Sequence, residues 1–418
     1  MIETLIIADT LTGCTDTAAK FTKSGPVKLV SLKKADWSGI KGVLAVNANT
    51  RAVEPSKIPE ALGKIKSLLN DHRPRIIYKR IDSCLRGCVG HEIATALKTF
   101  DELDFALVAP ADPELGRTTI KGVHMVEDKP IHTTQYSQDP VKPVLDSRLK
   151  MVMSEDHDLR VESLEIDEIR NGPDAIEQKL NEFLSKGTRF IVACDAEFDY
   201  DLDLLVKGSR EFADRVLFSG SLGFAGILAD LYATRNRNWL EDEFHPPVPQ
   251  TPIIFFGGSY SKKLNEQFKI LADEHDGEIL TVNVENLLND HGLTVPLLVH
   301  SRPLIITLPD KGDDEEFKEK YPLRVINEKF GILAADLVKN RQYKSIFISG
   351  GDLAMQTLMA MNLDELWIRS DLTQGIVFAS AGQLSVLTKT ADFGTPDILS
   401  RLFEELTRDD DWWLPKSD

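Results

Sequence analysis

Cysteine is scarce in this chain: 418 residues hold four, Cys14, Cys84, Cys88 and Cys194. So few over that length make no disulfide framework and point to a reducing compartment, the cytoplasm. No apolar run approaches the ~18–20 residues of a membrane span. The opening MIETLIIADT lacks the basic flank of a secretory signal, and its apolar stretch is only strand-length. Positive charge is in deficit, with a formal net charge of −17. Nucleic acids and anionic membranes are therefore disfavoured as partners, since both need clustered Lys and Arg. Neither GxxxxGK[ST] nor GxGxxG occurs, which argues against a Walker-type NTPase and an ordinary dinucleotide-binding oxidoreductase. GGSYS lacks the last glycine of a serine-hydrolase elbow. Cys84, Cys88 and His91 are spaced as on a helix, but C-x3-C is not the usual zinc knuckle, and no residue is assigned to a metal.

What is present fits a globular protein, with 42% hydrophobic and 28% charged residues, and the length predicts two or three domains. Short β-rich runs alternate with helical ones. TLIIAD precedes DTAAKFTKSG, KGVLAVNAN precedes PSKIPEALGKIKSLLNDH, and RIIYKRI precedes GHEIATALKTFDELD; FALVAPA, RFIVACDA and RVLFSGS follow. Continuous apolar strands separated by helices predict a parallel sheet covered on both faces. GVHMVEDKPIHTT departs from this and reads as a hairpin turning at EDKP. Prolines and acids break the pattern over 239–252, after which the alternation restarts with IIFFGGS, PLIITLP and SIFISGG. The expected fold is thus α/β: two domains with largely parallel sheets, residues 1–240 and 250–418, with a cleft between them. Trp412 and Trp413, adjacent in the tail, cover the chain's own surface or, on the sharper reading, meet a second copy in a homodimer.

Ligands of open α/β sheets sit beyond the carboxyl ends of the strands. Three such ends in the first half carry polar groups: Asp9 before Gly13 and Asp16; Asn47, Asn49 and Arg51; and Lys79, Arg80, Asp82, Ser83 and Arg86. Two cations and a carboxylate at a strand tip are costly as packing and useful as an anion site. A strand-end carboxylate can take a hydroxyl proton, and Lys or Arg can hold a carboxylate, so the set suits a polyhydroxylated acid. Taken singly, Asp9 and Asp16 also read as helix-capping acids, and Arg51 and Arg86 as members of surface ion pairs. Arg117, Thr118, Thr119 and Lys121 form a fourth polar segment that a solvated hairpin explains as well. In the second half, glycine-rich turns at Gly257–Ser259, Gly350–Asp352 and Gly394 precede helices, where backbone N–H groups can approach a phosphate.

Several stretches resemble the signatures of the four-carbon acid sugar kinase family. IADTLTGCTDTA is similar to IADDxTGAxDxG, YKRIDSCLRGCVGHEI to KKIDSTLRGNxGxEI, and VAPADPELGRTTIKGVHMV to VAPAFPxxGRTTVNGxxYV. SGSLGFAGILA, ISGGDLAM and TKTADFGTPDIL match further family segments in the same order. The resemblance implies an ATP-dependent kinase, with Mg²⁺, that phosphorylates the terminal hydroxyl of a four-carbon sugar acid of the D-threonate or D-erythronate type. It implies acid contacts from Asp9, Arg51, Lys79, Arg80, Ile81, Asp82 and Ser83. Nucleotide contacts fall to Ser259, Gly350, Gly351, Asp352, Leu353, Asp392, Phe393 and Gly394. Asp82 or Asp9 would orient the hydroxyl and accept its proton. Thr10, Leu353 and Asp392 depart from the family pattern, which keeps open a non-catalytic sugar-acid sensor or partner subunit on the same fold.

Overall fold

The computed structural model describes residues 1–70, 72–139, 142–232, 249, 251–289, 295, 302–311, 314–341, 343–373, 375–391 and 393–407. Asp392, Trp412 and Trp413 lie outside the described residues. The chain divides into two compact units, Met1–Glu241 and Asp242–Asp418. The first holds strands β1 (Ile2–Ala8), β2 (Val27–Ser31), β3 (Gly42–Asn47), β4 (Ile76–Arg80), β5 (Phe105–Ala109), β6 (Arg117–Ile120), β7 (Val123–Val126), β8 (Lys129–Pro130), β9 (Arg160–Leu164), β10 (Phe190–Cys194) and β11 (Val216–Gly220). Its main sheet runs β2-β3-β1-β4-β11-β5-β10-β9, and every one of those pairings is parallel. Strands such as β3, β5, β10 and β11 are buried at every residue, which is why they read as unbroken apolar runs rather than as alternation.

The chain leaves β1 for β2, returns to β3 beside β1, and crosses to β4 on the other flank of β1. The carboxyl end of β1 therefore lies at a reversal of strand order, where such sheets open a crevice. The helix Ile58–Leu69 buries Ile58, Leu62, Ile65 and Leu69, the stripe that a period of 3.6 supplies, against the core. Each such fully buried aliphatic side chain contributes about 1.5–3 kcal/mol. β6, β7 and β8 form a separate antiparallel sheet. The turn between β7 and β8 is Glu127–Asp128, both at positive φ (48° and 60°), as a two-residue type I′ hairpin requires.

The second unit contains β12 (Ile253–Gly257), β13 (Glu278–Thr281), β14 (Leu304–Thr307), β15 (Ser345–Ser349), β16 (Glu365–Thr373), β17 (Ile376–Ala381) and β18 (Leu384–Lys389). Their order is β13-β14-β12-β15-β18-β17-β16. Pairing is parallel from β13 through β18 and antiparallel from β18 to β16. Phe255, Phe268, Phe347, Leu399 and Phe403 pack in its core. Among the described residues no helix is long and apolar enough to cross a membrane, and all four cysteines are free and buried.

Candidate functional site

In the first unit, register fixes what gathers beyond the sheet. Ala8 pairs with Asn47, and Ile7 with Lys79, so the residues after β1, β3 and β4 emerge side by side. Asp9 stands between two arginines. Its Oδ2 accepts from Arg51 Nε at 2.7 Å and its Oδ1 from Arg80 Nη1 at 3.1 Å. Asp82 is held through both oxygens by Arg86, Nε at 2.5 Å and Nη2 at 3.3 Å, with Arg51 Nη2 at 3.8 Å. Both carboxylates are buried. Burial works to raise the pKa of each. The fields of Arg51, Arg80 and Lys79 outweigh it at Asp9, holding that group at about 2. Arg51 and Arg86 hold Asp82 well below the usual carboxylate range. Both are therefore ionised at neutral pH.

Local chemistry explains the positioning. Thr10 caps the helix Leu11–Lys20, its hydroxyl accepting from Gly13 N. A side chain at Gly13 would put a Cβ 2.6 Å from Arg80 Cζ, so this glycine makes room for the guanidinium. Asn47 Oδ1 accepts from Asn49 N and turns the chain toward Arg51, with Asn49 at φ 53°. Beneath the arginines, Lys79 and Glu92 form a buried pair at 2.6 Å. Lys79 Nζ also donates to Arg80 O, and Thr50 Oγ1 donates to Glu92 Oε2 at 3.0 Å. Lys79 is 1% exposed and its ammonium is taken up by Glu92 and the Arg80 carbonyl, so it lies under the site rather than open to it. Ile81 is buried as well, and Ser83 presents its carbonyl to His124 Nε2 at 2.8 Å. Because a carbonyl only accepts, Nε2 carries the proton, and Nδ1 accepts from Thr119 Oγ1. Burial pushes His124 down to about 4, so it stays neutral.

Within this cluster two buried guanidinium atoms make no hydrogen bond: Arg80 Nε, and Arg51 Nη2, which has Asp82 Oδ1 at 3.8 Å. A buried cationic donor without an acceptor is expensive. Such donors can take up an anion, and Asp9 and Asp82 beside them can accept from hydroxyl groups. Sequence reasoning reached Asp9, Arg51, Arg80, Asp82 and Arg86. It missed Glu92 and Thr50, whose only signal is an acid in the first turn of the helix after a strand that carries a lysine inward.

The second unit lines up another row. Thr281, Thr307, Gly257, Ser349 and Lys389 are successive partners across β13, β14, β12, β15 and β18. The turns after Gly257, Ser349 and Lys389 consequently lie together. Gly258 packs so closely that a Cβ there would stand 2.4 Å from Leu353 Cβ, and Gly350 needs φ 108°. No side chain caps the helix Gly351–Ala360. Near the same turn, Thr307 Oγ1 and Asn327 Oδ1 are buried without hydrogen-bond partners. The third turn is held from inside: Lys389 Nζ donates to the carbonyls of Thr390, Ala391 and Phe393, and Gln267 Nε2 to those of Phe393 and Thr395. Gly394 adopts φ 86° there. Ser259 Oγ accepts from Ser261 N, while Asp352 is exposed and Leu353 is fully buried. Among the described residues no three His, Cys, Asp or Glu side chains group as a metal cage.

Comparison with known proteins matches this division. Residues 4–228 fit the model of a sugar-binding N-terminal domain and residues 255–399 that of a nucleotide-binding C-terminal domain. A D-threonate kinase of Salmonella typhimurium is 23% identical over 94% of this chain and 96% of its own length. A 3-oxo-tetronate kinase of Brucella melitensis is 24% identical over 93% and 92%. The fold is shared with a solved Haemophilus influenzae protein, with TM-score 0.73 and 18% identity over 96% of this chain and 99% of that one. With both domain models spanning most of its length, the chain belongs to the four-carbon acid sugar kinase family, and it is a carbohydrate kinase.

Proposed function

We propose that this kinase transfers the γ-phosphoryl group of ATP to the terminal hydroxyl of a D-threonate- or D-erythronate-type acid. The first unit holds the acid and the second the nucleotide. The observation that carries this reading is the pair of buried guanidinium donors on Arg51 and Arg80 that make no hydrogen bond, beside the ionised Asp9 and Asp82. Arg51 and Arg80, fixed in place by Asp9, receive the substrate carboxylate. Asp82 orients the hydroxyl, and Arg86, whose side chain is 35% exposed, can swing aside to release it. A carboxylate of low pKa suffices, because in a loose phosphoryl-transfer transition state the proton leaves late. Lys79 acts from below, pairing with Glu92 to set the strand tip. The uncapped helix at Gly351, with Gly258 and Ser259, supplies backbone N–H groups to phosphates, and the Phe393–Gly394 turn closes on them. Mg²⁺ would neutralise phosphate charge, and it needs only one or two carboxylates besides phosphate oxygens, a role exposed Asp352 fits.

The test is an ATP-consumption screen over stereoisomeric four-carbon acids, with Asp82→Asn and Asp9→Asn alongside. Turnover should fall roughly 10²- to 10⁴-fold in Asp82→Asn with circular dichroism unchanged. Asp9→Asn should chiefly raise KM for the acid. Wild-type turnover in Asp82→Asn removes that residue's role. Thermal stabilisation by the acid but not by Mg-ATP would replace the kinase reading with that of a sensor.

A further inference from the structure

One cavity, entirely within the second unit, has no part in the reading so far. It is an open pocket of about 590 Å³, lined by Thr281 at the end of β13, Val282 and Glu285 after it, Pro309 after β14, and the aromatic rings of Phe317 and Tyr321. That volume lies in the range of small-molecule sites, about 300–1,000 Å³. Its walls combine that ring pair and apolar side chains with the polar groups of Asn283, Glu285, Asp314, Glu316 and Lys320, unlike the glycine turns alongside. Phe317 and Tyr321 are tilted against each other at 4.8 Å between centroids.

Two observations tie the cavity to the phosphate-ready turns. Tyr260, the residue after Ser259, meets Phe317 edge-on at 5.8 Å, and its hydroxyl donates to Tyr321 O at 3.2 Å. The strand ends are aligned too: Thr281, in the cavity wall, is three strands from Ser349 in the same row. At the usual strand spacing that is about 14 Å, the reach of a nucleotide lying across the strand ends. We infer that this cavity holds the nucleoside of ATP, with its base against Phe317 and its ribose hydroxyls donating to Glu285. Tyr321 Oη donates to Glu285 Oε1 at 2.5 Å and holds that carboxylate in place. The inference rests on the kinase reading and adds to it the residues that select a nucleoside rather than a bare polyphosphate.

Calorimetric titration of the full chain with ADP, adenosine and tripolyphosphate tests it, using wild type, Phe317→Ala and Glu316→Trp. Glu316 lines the cavity from an exposed position, so its replacement obstructs the space without touching the core. Both variants should weaken ADP and adenosine roughly 5- to 100-fold, the range stacking on one aromatic ring supplies. Tripolyphosphate should bind all three proteins equally. Unchanged ADP affinity in both variants, with wild type binding normally, overturns the cavity assignment and leaves the kinase reading standing. Failure of wild type to bind ADP or ATP at all overturns both.

Discussion

Replacing Glu92 by Gln should destabilise the first unit far more than an ordinary surface change. The Glu92 carboxylate faces the Lys79 ammonium at 2.6 Å, with their side chains only 4% and 1% exposed. Losing the charge of one partner leaves the other ionised in a dry site, a cost of about 3–5 kcal/mol. For a unit of this size each kcal/mol lowers the midpoint by about 2–4 °C, so a fall of roughly 6–20 °C is expected. Thr50 loses its carboxylate acceptor as well, which loosens the turn carrying Arg51 and should raise KM for the acid. Calorimetric scanning of wild type, Glu92→Gln and the double variant Lys79→Met/Glu92→Leu gives the measurement. The double variant should be more stable than Glu92→Gln, because an apolar pair costs no desolvation of charge. A Glu92→Gln midpoint within about 1 °C of wild type, or no recovery in the double variant, refutes the reasoning.

The remaining expectations concern single groups. Asp9 is held at about 2 in the folded protein against 3.8 ordinarily. Its contribution, about 2 kcal/mol, is therefore complete above about pH 4 and disappears as pH falls through 2. Urea unfolding between pH 2 and 6 should show a shallower acid limb in Asp9→Asn; identical slopes count against the ion pairs. Gly13→Ala places a Cβ 2.6 Å from Arg80 Cζ, so the guanidinium must move. Thermal stability should change little while KM for the acid rises at least about tenfold, and an unchanged KM would remove Arg80 from the site. Gly258→Ala drives a Cβ to within 2.4 Å of Leu353 Cβ and should cost about 1–3 kcal/mol by overpacking. Adding Leu353→Gly, which removes that Cβ, should make the combined loss smaller than the sum of the two single losses, and a simple sum would contradict the packing.

The architecture was legible because buried parallel strands write themselves as apolar runs, and β1, β3, β4, β5, β10 and β11 all stand out that way. Strands with weaker signatures escaped. Glu278–Thr281 is only four residues long and exposed at three of them, and the antiparallel β16–β18 segment carries Arg369, Ser380 and Ser385 among its apolar residues. Site residues at strand tips were legible for the same reason: a charge that interrupts an apolar run is conspicuous.

Composition and local pattern were enough to determine the α/β class, the restart of the pattern past residue 250, and the strand tips bearing Asp9, Arg51, Arg80 and Asp82. Only the tertiary structure decided which charges keep a donor without a hydrogen bond and which are paired with each other. Lys79 and Arg80 are neighbours in sequence, yet successive residues of a strand point to opposite sides. One is consequently buried against Glu92 while the other reaches Asp9 and keeps a donor free. The cavity at Phe317 and Tyr321 was invisible for a related reason. Its walls come from the segments that follow two different strands, and their meeting depends on β13 pairing with β14, a long-range contact that no local pattern encodes.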